Sequence, residues 1–276
     1  MKTTFSWMNI ASHCVLIFGA FCMLMPFIWM LSTAFKPPQE IFEASLWPLP
    51  KNYYGFQHFS EVLKSAPIGK YMLNGVIVCA GILLVQLLVA IPAAYALAKL
   101  SFVGREFLFT CILGALSVPI QATSLPIYIA MSSTNLLNAY FAQMFPFFLS
   151  MFAIFLLRQN FKSFPDEIIH AARLDGMKEL EIVWRIVTPS ALPAITAFSI
   201  FSLVAHWNDL YWPLIVISST DLAPPPLGML LFASAESGAN YGDLMAGATL
   251  ITAPMVIAFL IARRLFIQGI TMTSFR

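Results

Sequence analysis

Five stretches of this 276-residue chain contain no Asp, Glu, Lys or Arg: Lys2 to Lys36, Lys70 to Lys99, Glu106 to Arg158, Arg185 to Asp209 and Asp243 to Arg263. A helix needs about 20 apolar residues to cross the hydrocarbon of a bilayer. Backbone in lipid has no water to bond, so a spanning segment must satisfy its own N–H and C=O groups. The uncharged stretches therefore read as membrane helices. The one between Glu106 and Arg158 is long enough for two, divided by the polar patch Ser132 to Asn138. The expectation is an all-α membrane protein, one transmembrane domain over residues 1–276, with six spans near 10–34, 71–98, 107–131, 139–157, 193–218 and 243–262. Composition agrees: 10% of residues are charged, against roughly 25% in soluble domains.

The basic residues set the orientation, because Lys and Arg flanking short loops stay on the cytoplasmic side. Lys2, Lys99, Arg105, Arg158, Lys162, Arg173, Lys178, Arg185, Arg263, Arg264 and Arg276 fall at one face, and Lys36, Lys51, Lys64 and Lys70 at the other. Eleven against four places both termini and the polar segment 159–190 in the cytoplasm. The net charge of +2 is then a topology signal and gives no reason to expect a nucleic-acid partner. Lys2 followed by an apolar run resembles a signal peptide, but the run exceeds the 7–15 residues of such a core, so it reads as a retained span. Cys14, Cys22, Cys79 and Cys111 all lie in apolar spans, where thiols act as small hydrophobes and imply no disulfide framework.

Residues 35–70 carry Pro37, Pro38, Pro48, Pro50 and Pro67 among Trp47, Tyr53, Tyr54 and Phe56. Proline keeps such a segment extended or turned, and aromatic rings suit the headgroup layer, so interfacial anchoring is the expected role. Pro92, Pro119, Pro126, Pro146, Pro213 and Pro254 sit in or beside spans, where each removes a backbone hydrogen bond and permits a kink.

The polar stretch SFPDEIIHAARLDGMKELEIVWRIVTPSALP, Ser163 to Pro193, is longer than a simple turn requires. Ser163 with Asp166 three residues on, and Pro165 in the first turn, predict a helix start. Ile168, Ala171, Ala172 and Asp175 predict an exposed stripe of mostly small residues, and Gly176 predicts the positive φ that ends the helix. A second helix should follow, with Leu180, Val183, Trp184 and Val187 on one face and a Glu181–Arg185 pair on the other. A short helix with a small-residue face at the cytoplasmic surface reads as a docking surface for a partner.

His170-Ala171-Ala172-Arg173-Leu174-Asp175-Gly176, followed by Thr188-Pro189 and Leu192-Pro193, resembles the cytoplasmic E-A-A-x-x-D-G loop of the inner-membrane subunits of bacterial ABC importers. His170 stands where that family has glutamate, and Glu167 lies one turn earlier. The likeness covers nearly the whole chain and is greatest to the smaller, six-span permease of the maltose-type carbohydrate-uptake subfamily. It includes Pro26-Phe27-Ile28-Trp29-Met30, Ala93-Ala94-Tyr95-Ala96, Trp207-Asn208-Asp209, Trp212-Pro213-Leu214, Pro226-Leu227-Gly228 and Met245-Ala246-Gly247 through Pro254 to Gly269. The ending Ile270 to Arg276 departs from the family's glycine- and lysine-containing tail. The resemblance implies a complex of two permease subunits, two cytoplasmic ATPases that use ATP and Mg, and an extracytoplasmic solute-binding protein. It implies that Glu167, His170, Ala171, Ala172, Arg173, Asp175 and Gly176 form the helix and cap that engage an ATPase.

The chain has no nucleotide site, cofactor site or catalytic set of its own. At Gly69-Lys70, Lys64 occupies the first glycine position of a P-loop and Tyr71 the Ser or Thr position. His13, His58, His170 and His206 lack metal-ligand spacing. Asp209 is the one acid expected inside a span, near its outer end, and with Trp207 and Asn208 is a candidate lining for a sugar pathway, the alternative being that it satisfies nearby backbone. An ion-coupled secondary transporter is the other transport reading. It would call for several buried acids or a His relay, against one acid and a large hairpin here. A membrane enzyme would need H-E-x-x-H, G-x-S-x-G or a like set, which does not occur.

Overall fold

The structure is a computed structural model that describes the backbone of residues 7–43, 49–235 and 240–273, and the side chains of residues 10–43, 49–233 and 240–260. Lys2, Trp47, Pro48, the Arg263 and Arg264 side chains and the Arg276 end of the tail therefore lie outside the described residues. The helices in chain order are α1 (Trp7–Thr33), α2 (Gln57–Ser65), α3 (Ile68–Lys99), α4 (Arg105–Ala115), α5 (Ile120–Ser133), α6 (Tyr140–Met144), α7 (Met151–Lys162), α8 (Asp166–Leu174), α9 (Glu179–Ile182), α10 (Thr188–Ser190), α11 (Leu192–Trp207), α12 (Tyr211–Val216), α13 (Pro225–Ala235) and α14 (Tyr241–Thr273). Among the described residues, three helices are long and apolar enough to cross a membrane, and the number rises to as many as six if each of three bent pairs is one span. The bends are 96° between α4 and α5, 45° between the 140–147 and 151–162 segments, and 83° between the 179–190 segment and α11. The span expected over 193–218 is correspondingly interrupted: α11 ends at Trp207 and α12 resumes at Tyr211.

The chain groups into two compact units, residues 1–68 with 229–253, and residues 69–228 with 254–276. In the second unit, an apolar core collects Leu97, Leu157, Phe161, Ile169, Ala172, Ile182, Val183 and Val187 from α3, α7 and the hairpin. Polar groups beside it are partnered, as a water-poor environment demands. Arg158 is 1% exposed; its Nε donates to the Leu97 carbonyl at 3.1 Å and its guanidinium lies 3.6 Å from the Phe109 ring centre. Higher along α3, Gln86 accepts from Ser202 Oγ at 2.6 Å and donates to the Phe147 carbonyl at 2.8 Å. Asn74 donates to the Asp221 and Ala223 carbonyls, each at 2.9 Å, and accepts from Tyr140 Oη at 2.6 Å. The fully buried Trp212 donates its indole N–H to the Ala142 carbonyl at 2.8 Å. Interhelical hydrogen bonds of this kind contribute about 0.6–2 kcal/mol each in membranes.

In the first unit, residues 35–43 and 49–65 pack together and include a helix, α2, that the proline content did not foretell. The helix occupies the proline-free stretch between Pro50 and Pro67. Phe35 packs against the rings of Tyr53, Phe56 and Phe59 at 5.3–5.5 Å. The Glu40 carboxylate accepts from the backbone N–H groups of Lys51 and Asn52 at 3.1 Å. His58 Nε2 donates to the Lys36 carbonyl at 3.0 Å, and Nδ1 meets Asp243 Oδ1 at 2.6 Å. Cys14, Cys22 and Cys111 are exposed thiols and Cys79 is buried.

Candidate functional site

The hairpin 159–190 is where the sequence places its densest candidate residues, and its geometry is specific. α8 begins at Asp166, with Pro165 as its N-cap in extended conformation. Ser163 does not cap α8; it ends α7, and its Oγ donates to the Asn160 carbonyl at 2.8 Å. Asp166 is free of any capping-box role and turns to Lys99 instead, at 2.6 Å.

The far end of α8 follows the sequence closely. Gly176 has φ of 82°, its N–H donates to the Arg173 carbonyl at 3.0 Å, and Met177 N–H donates to the Ala172 carbonyl at 3.1 Å. This is the double bond pattern that closes a helix on a left-handed residue. Such a closure fixes the length of α8 and the direction in which the chain leaves it.

The two alanines of the motif have different jobs. Glu167, Ile168, His170, Ala171, Leu174, Asp175 and Gly176 are exposed, whereas Ala172 is 5% exposed and packs with Ile169 into the core. The expected stripe of Ile168, Ala171, Ala172 and Asp175 is corrected accordingly: successive helical residues point about 100° apart, and here Ala171 falls on the outer face while Ala172 joins Ile169, three residues earlier, on the inner one. Small size at 172 serves close packing of α8 on the bundle, and small size at 171 leaves a shallow outer surface.

The second helix also departs from a simple amphipathic face. Val183 and Val187 are buried at 1% and 0%, but Leu180 and Trp184 are 64% and 39% exposed. A π-helical turn, whose bonds run from i to i+5, occupies Val183–Val187 in the same segment. Thr188 Oγ1 donates to the Val183 carbonyl at 2.7 Å within it. The expected Glu181–Arg185 pair forms at 3.8 Å on the exposed side, where such pairs contribute little.

Arg173 lies inward of the exposed face. Its Nε and Nη2 donate to Glu179 at 2.6 and 3.3 Å, and Tyr95 Oη donates to the same carboxylate at 2.7 Å. The Arg173 hydrogen bond, followed by the Tyr95 one, holds the Glu179 carboxyl below its ordinary range. Lys99 does the same for Asp166, chiefly through their hydrogen bond. The contacts of Tyr95 with Glu179 and of Lys99 with Asp166 join residues 84 and 67 positions apart and leave no local trace in the sequence.

The second candidate group does not assemble into one lining. Trp207 is 6% exposed and packs beside Gly75, where an added Cβ would stand 3.1 Å from the indole. It borders a cleft of about 270 Å³ whose other walls include Val76, Cys79, Leu203, Pro254 and Phe259. That lining is apolar and offers no planar acceptors to sugar hydroxyls. Asn208 is exposed and donates to the Val204 carbonyl of its own helix at 2.8 Å. Asp209 is half-buried and accepts from the Trp212 N–H at 3.4 Å, in the break before α12. Its geometry is that of a carboxylate satisfying backbone.

One grouping appears that spacing could not reveal. His58, Glu61 and Asp243 bring ligand-type atoms within 4.8 Å of one another. The 2.6 Å separation of His58 Nδ1 and Asp243 Oδ1 is that of a hydrogen bond, so these two groups satisfy each other.

Comparison with known proteins agrees with this geometry. Residues 86–271, which include the whole hairpin, match the profile of the family described as "Binding-protein-dependent transport system inner membrane component". The chain is 32% identical over 264 residues to the lactose transport system permease protein of Rhizobium radiobacter, covering 95% of this chain and 94% of that one. It is 31% identical over 262 residues to the arabinooligosaccharides transport system permease protein of Halalkalibacterium halodurans, covering 92% and 91%. In fold it resembles a chain of a bacterial ABC transporter involved in the import of the acidic polysaccharide alginate, with a TM-score of 0.80, 22% identity, and coverage of 94% and 96%. A helical bundle of about six spans carrying this capped hairpin is thus a member of the binding-protein-dependent transport family, an inner-membrane permease subunit of the ABC importer type.

Proposed function

We propose that this chain is the translocating subunit of an ATP-driven importer that carries a sugar or related polar solute, released by a solute-binding protein, into the cytoplasm. In this reading residues 1–276 act as one transmembrane domain with both termini cytoplasmic. A second, homologous permease completes the pathway, and two ABC ATPases bind from the cytoplasmic side. α8 is the coupling helix: Glu167, His170, Ala171, Asp175 and Gly176 face the ATPase, and Ala172 and Arg173 hold the helix to the bundle. The solute class follows the sugar-transport names of the relatives.

The observation that carries the reading is the division of labour on α8. A nine-residue helix, closed by a left-handed glycine, presents Glu167, His170 and Ala171 outward together with Ile168 and Leu174, and fixes Ile169 and Ala172 into the core. A loop that only reversed the chain would have no use for such a face. His170 in place of glutamate lies on the outward side, with Glu167 near it one turn back. We assign the acidic contact with the ATPase to Glu167.

The test uses a photo-reactive benzoylphenylalanine at position 171, in the complex expressed with an ATPase and a binding protein of the same transport system. Irradiation should yield an adduct of the size of this chain plus one ATPase, with none when the probe is moved to the exposed position 125. Uptake driven by an ion gradient in vesicles that contain this chain and no ATPase would refute the proposal and favour the secondary-transporter reading.

A further inference from the structure

We infer that α3 is the arm through which α8 moves the rest of its unit, and that Tyr95 and Lys99 are the two positioning residues that fasten it. This rests on the coupling role proposed for α8 and names the element that receives the motion.

The fasteners grip α8 at opposite ends. At its start, Lys99 Nζ donates to the Phe164 carbonyl and to Asp166 Oδ1, each at 2.6 Å. At its finish, Arg173 and Tyr95 share the Glu179 carboxylate. A single contact would leave α8 free to pivot about it, whereas two contacts about two helical turns apart transmit both translation and rotation. Tyr95 and Lys99 stand four apart on α3, on one face. Both are shielded: Tyr95 is 2% exposed and the Lys99 side chain 5%. Their partner carboxylates are more open, 65% exposed at Asp166 and 43% at Glu179, so the fixed end of each contact is the one on α3.

α3 is also the element best built to carry the motion. It runs unbroken for 32 residues, about 48 Å at 1.5 Å per residue, even with Pro92 inside it. The segments that flank the hairpin in sequence are bent, by 83° into α11 and by 45° ahead of α7. A push on α8 that travelled along the chain would meet those bends at once. Through Tyr95 and Lys99 it enters a continuous rod. That rod then holds α11 through Gln86 and Ser202, and the 221–223 loop and α6 through Asn74. Side-chain hydrogen bonds thus engage α3 near both ends and in the middle.

The test uses the assembled complex in proteoliposomes, with Cys14, Cys22, Cys79 and Cys111 replaced and one cysteine placed at Gly69, which is exposed and has nothing within 4 Å of a new Cβ. The probe is a membrane-impermeant maleimide, and labelling rates are compared without nucleotide and with ATP plus vanadate. The native chain should show a rate change. Y95F with K99M should reduce that change about tenfold, the factor one charge-assisted hydrogen bond commands, while the photo-adduct at position 171 and basal ATP hydrolysis persist. K99R, which keeps a cation in reach of Phe164 and Asp166, should restore much of the response, and R185Q on the exposed side of the hairpin should leave it native. A double variant with a native rate change overturns the inference alone. A native chain that shows neither a rate change nor the adduct overturns it together with the coupling role. Should the double variant fail to assemble, Y95F alone, which removes one hydroxyl and keeps the ring, must still diminish the response.

Discussion

Enlarging the two neighbouring alanines of α8 should produce opposite defects, and the contrast tests the orientation of the helix. Ala172 is 5% exposed among Leu157, Phe161, Ile169, Ile182 and Val183, so A172L adds three carbons to a filled core. Overpacking of that kind costs about 1–3 kcal/mol. Ala171 is exposed, so A171L should change the stability of the chain by no more than about 0.5 kcal/mol. Helix propensity does not confuse the comparison, because Leu and Ala are both strong helix formers. Two assays separate the outcomes: the apparent melting temperature of the permease in detergent, and recovery of the ATPase when the complex is purified through this chain. A171L should melt like the native protein and lose the ATPase, whereas A172L should melt earlier. The reasoning fails if A171L lowers the melting temperature as much as A172L does, or if A172L is neutral.

Three further outcomes follow from the same geometry. At Gly176, φ is 82° and a Cβ would touch nothing within 4 Å, so G176V pays for the backbone alone, about 1–2 kcal/mol. It should leave insertion intact and lower solute transported per ATP; normal uptake with normal substrate-stimulated hydrolysis would contradict the capping role. The folded-state values of Asp166 and Glu179 lie below the ordinary carboxylate range, so their contribution is complete above about pH 5 and disappears as pH falls through the depressed values. Cleavage of the hairpin by an acid-active protease should rise only below about pH 5, and a rise between about pH 5 and 7 would point to other groups. A methyl group at Gly242 would collide with the His58 ring. G242A should therefore displace His58 from Asp243 and Lys36 and increase protease access to the 35–65 segment, measured on intact spheroplasts, and unchanged access would refute the packing.

The spans were legible because lipid imposes a constraint that sequence cannot evade: charge must leave the hydrocarbon. The end of α8 was legible because Gly176 carries a local signal that needs no partner. Which alanine points inward was not, since that depends on what α8 packs against, and the two differ by one residue. Ser163 and Asp166 fitted a capping box in sequence, yet Lys99, 67 residues earlier, takes the carboxylate and Asn160 the hydroxyl. The Tyr95–Glu179 and His58–Asp243 contacts join residues 84 and 185 positions apart. No periodicity reports such pairs. Prolines marked where spans could bend, but no residue pattern encodes the angles of 45° to 96°.

The π turn at Val183–Val187 is, in effect, a one-residue insertion absorbed without breaking the hairpin. Deleting a residue there would tighten the turn to ordinary α-helical pitch and leave the chain on either side close to its present direction, while α8 and its glycine closure stayed untouched. The turn therefore gives the hairpin slack where length can be trimmed independently of the docking helix, which makes it the natural splice point for chimaeras that graft a foreign coupling segment onto this bundle.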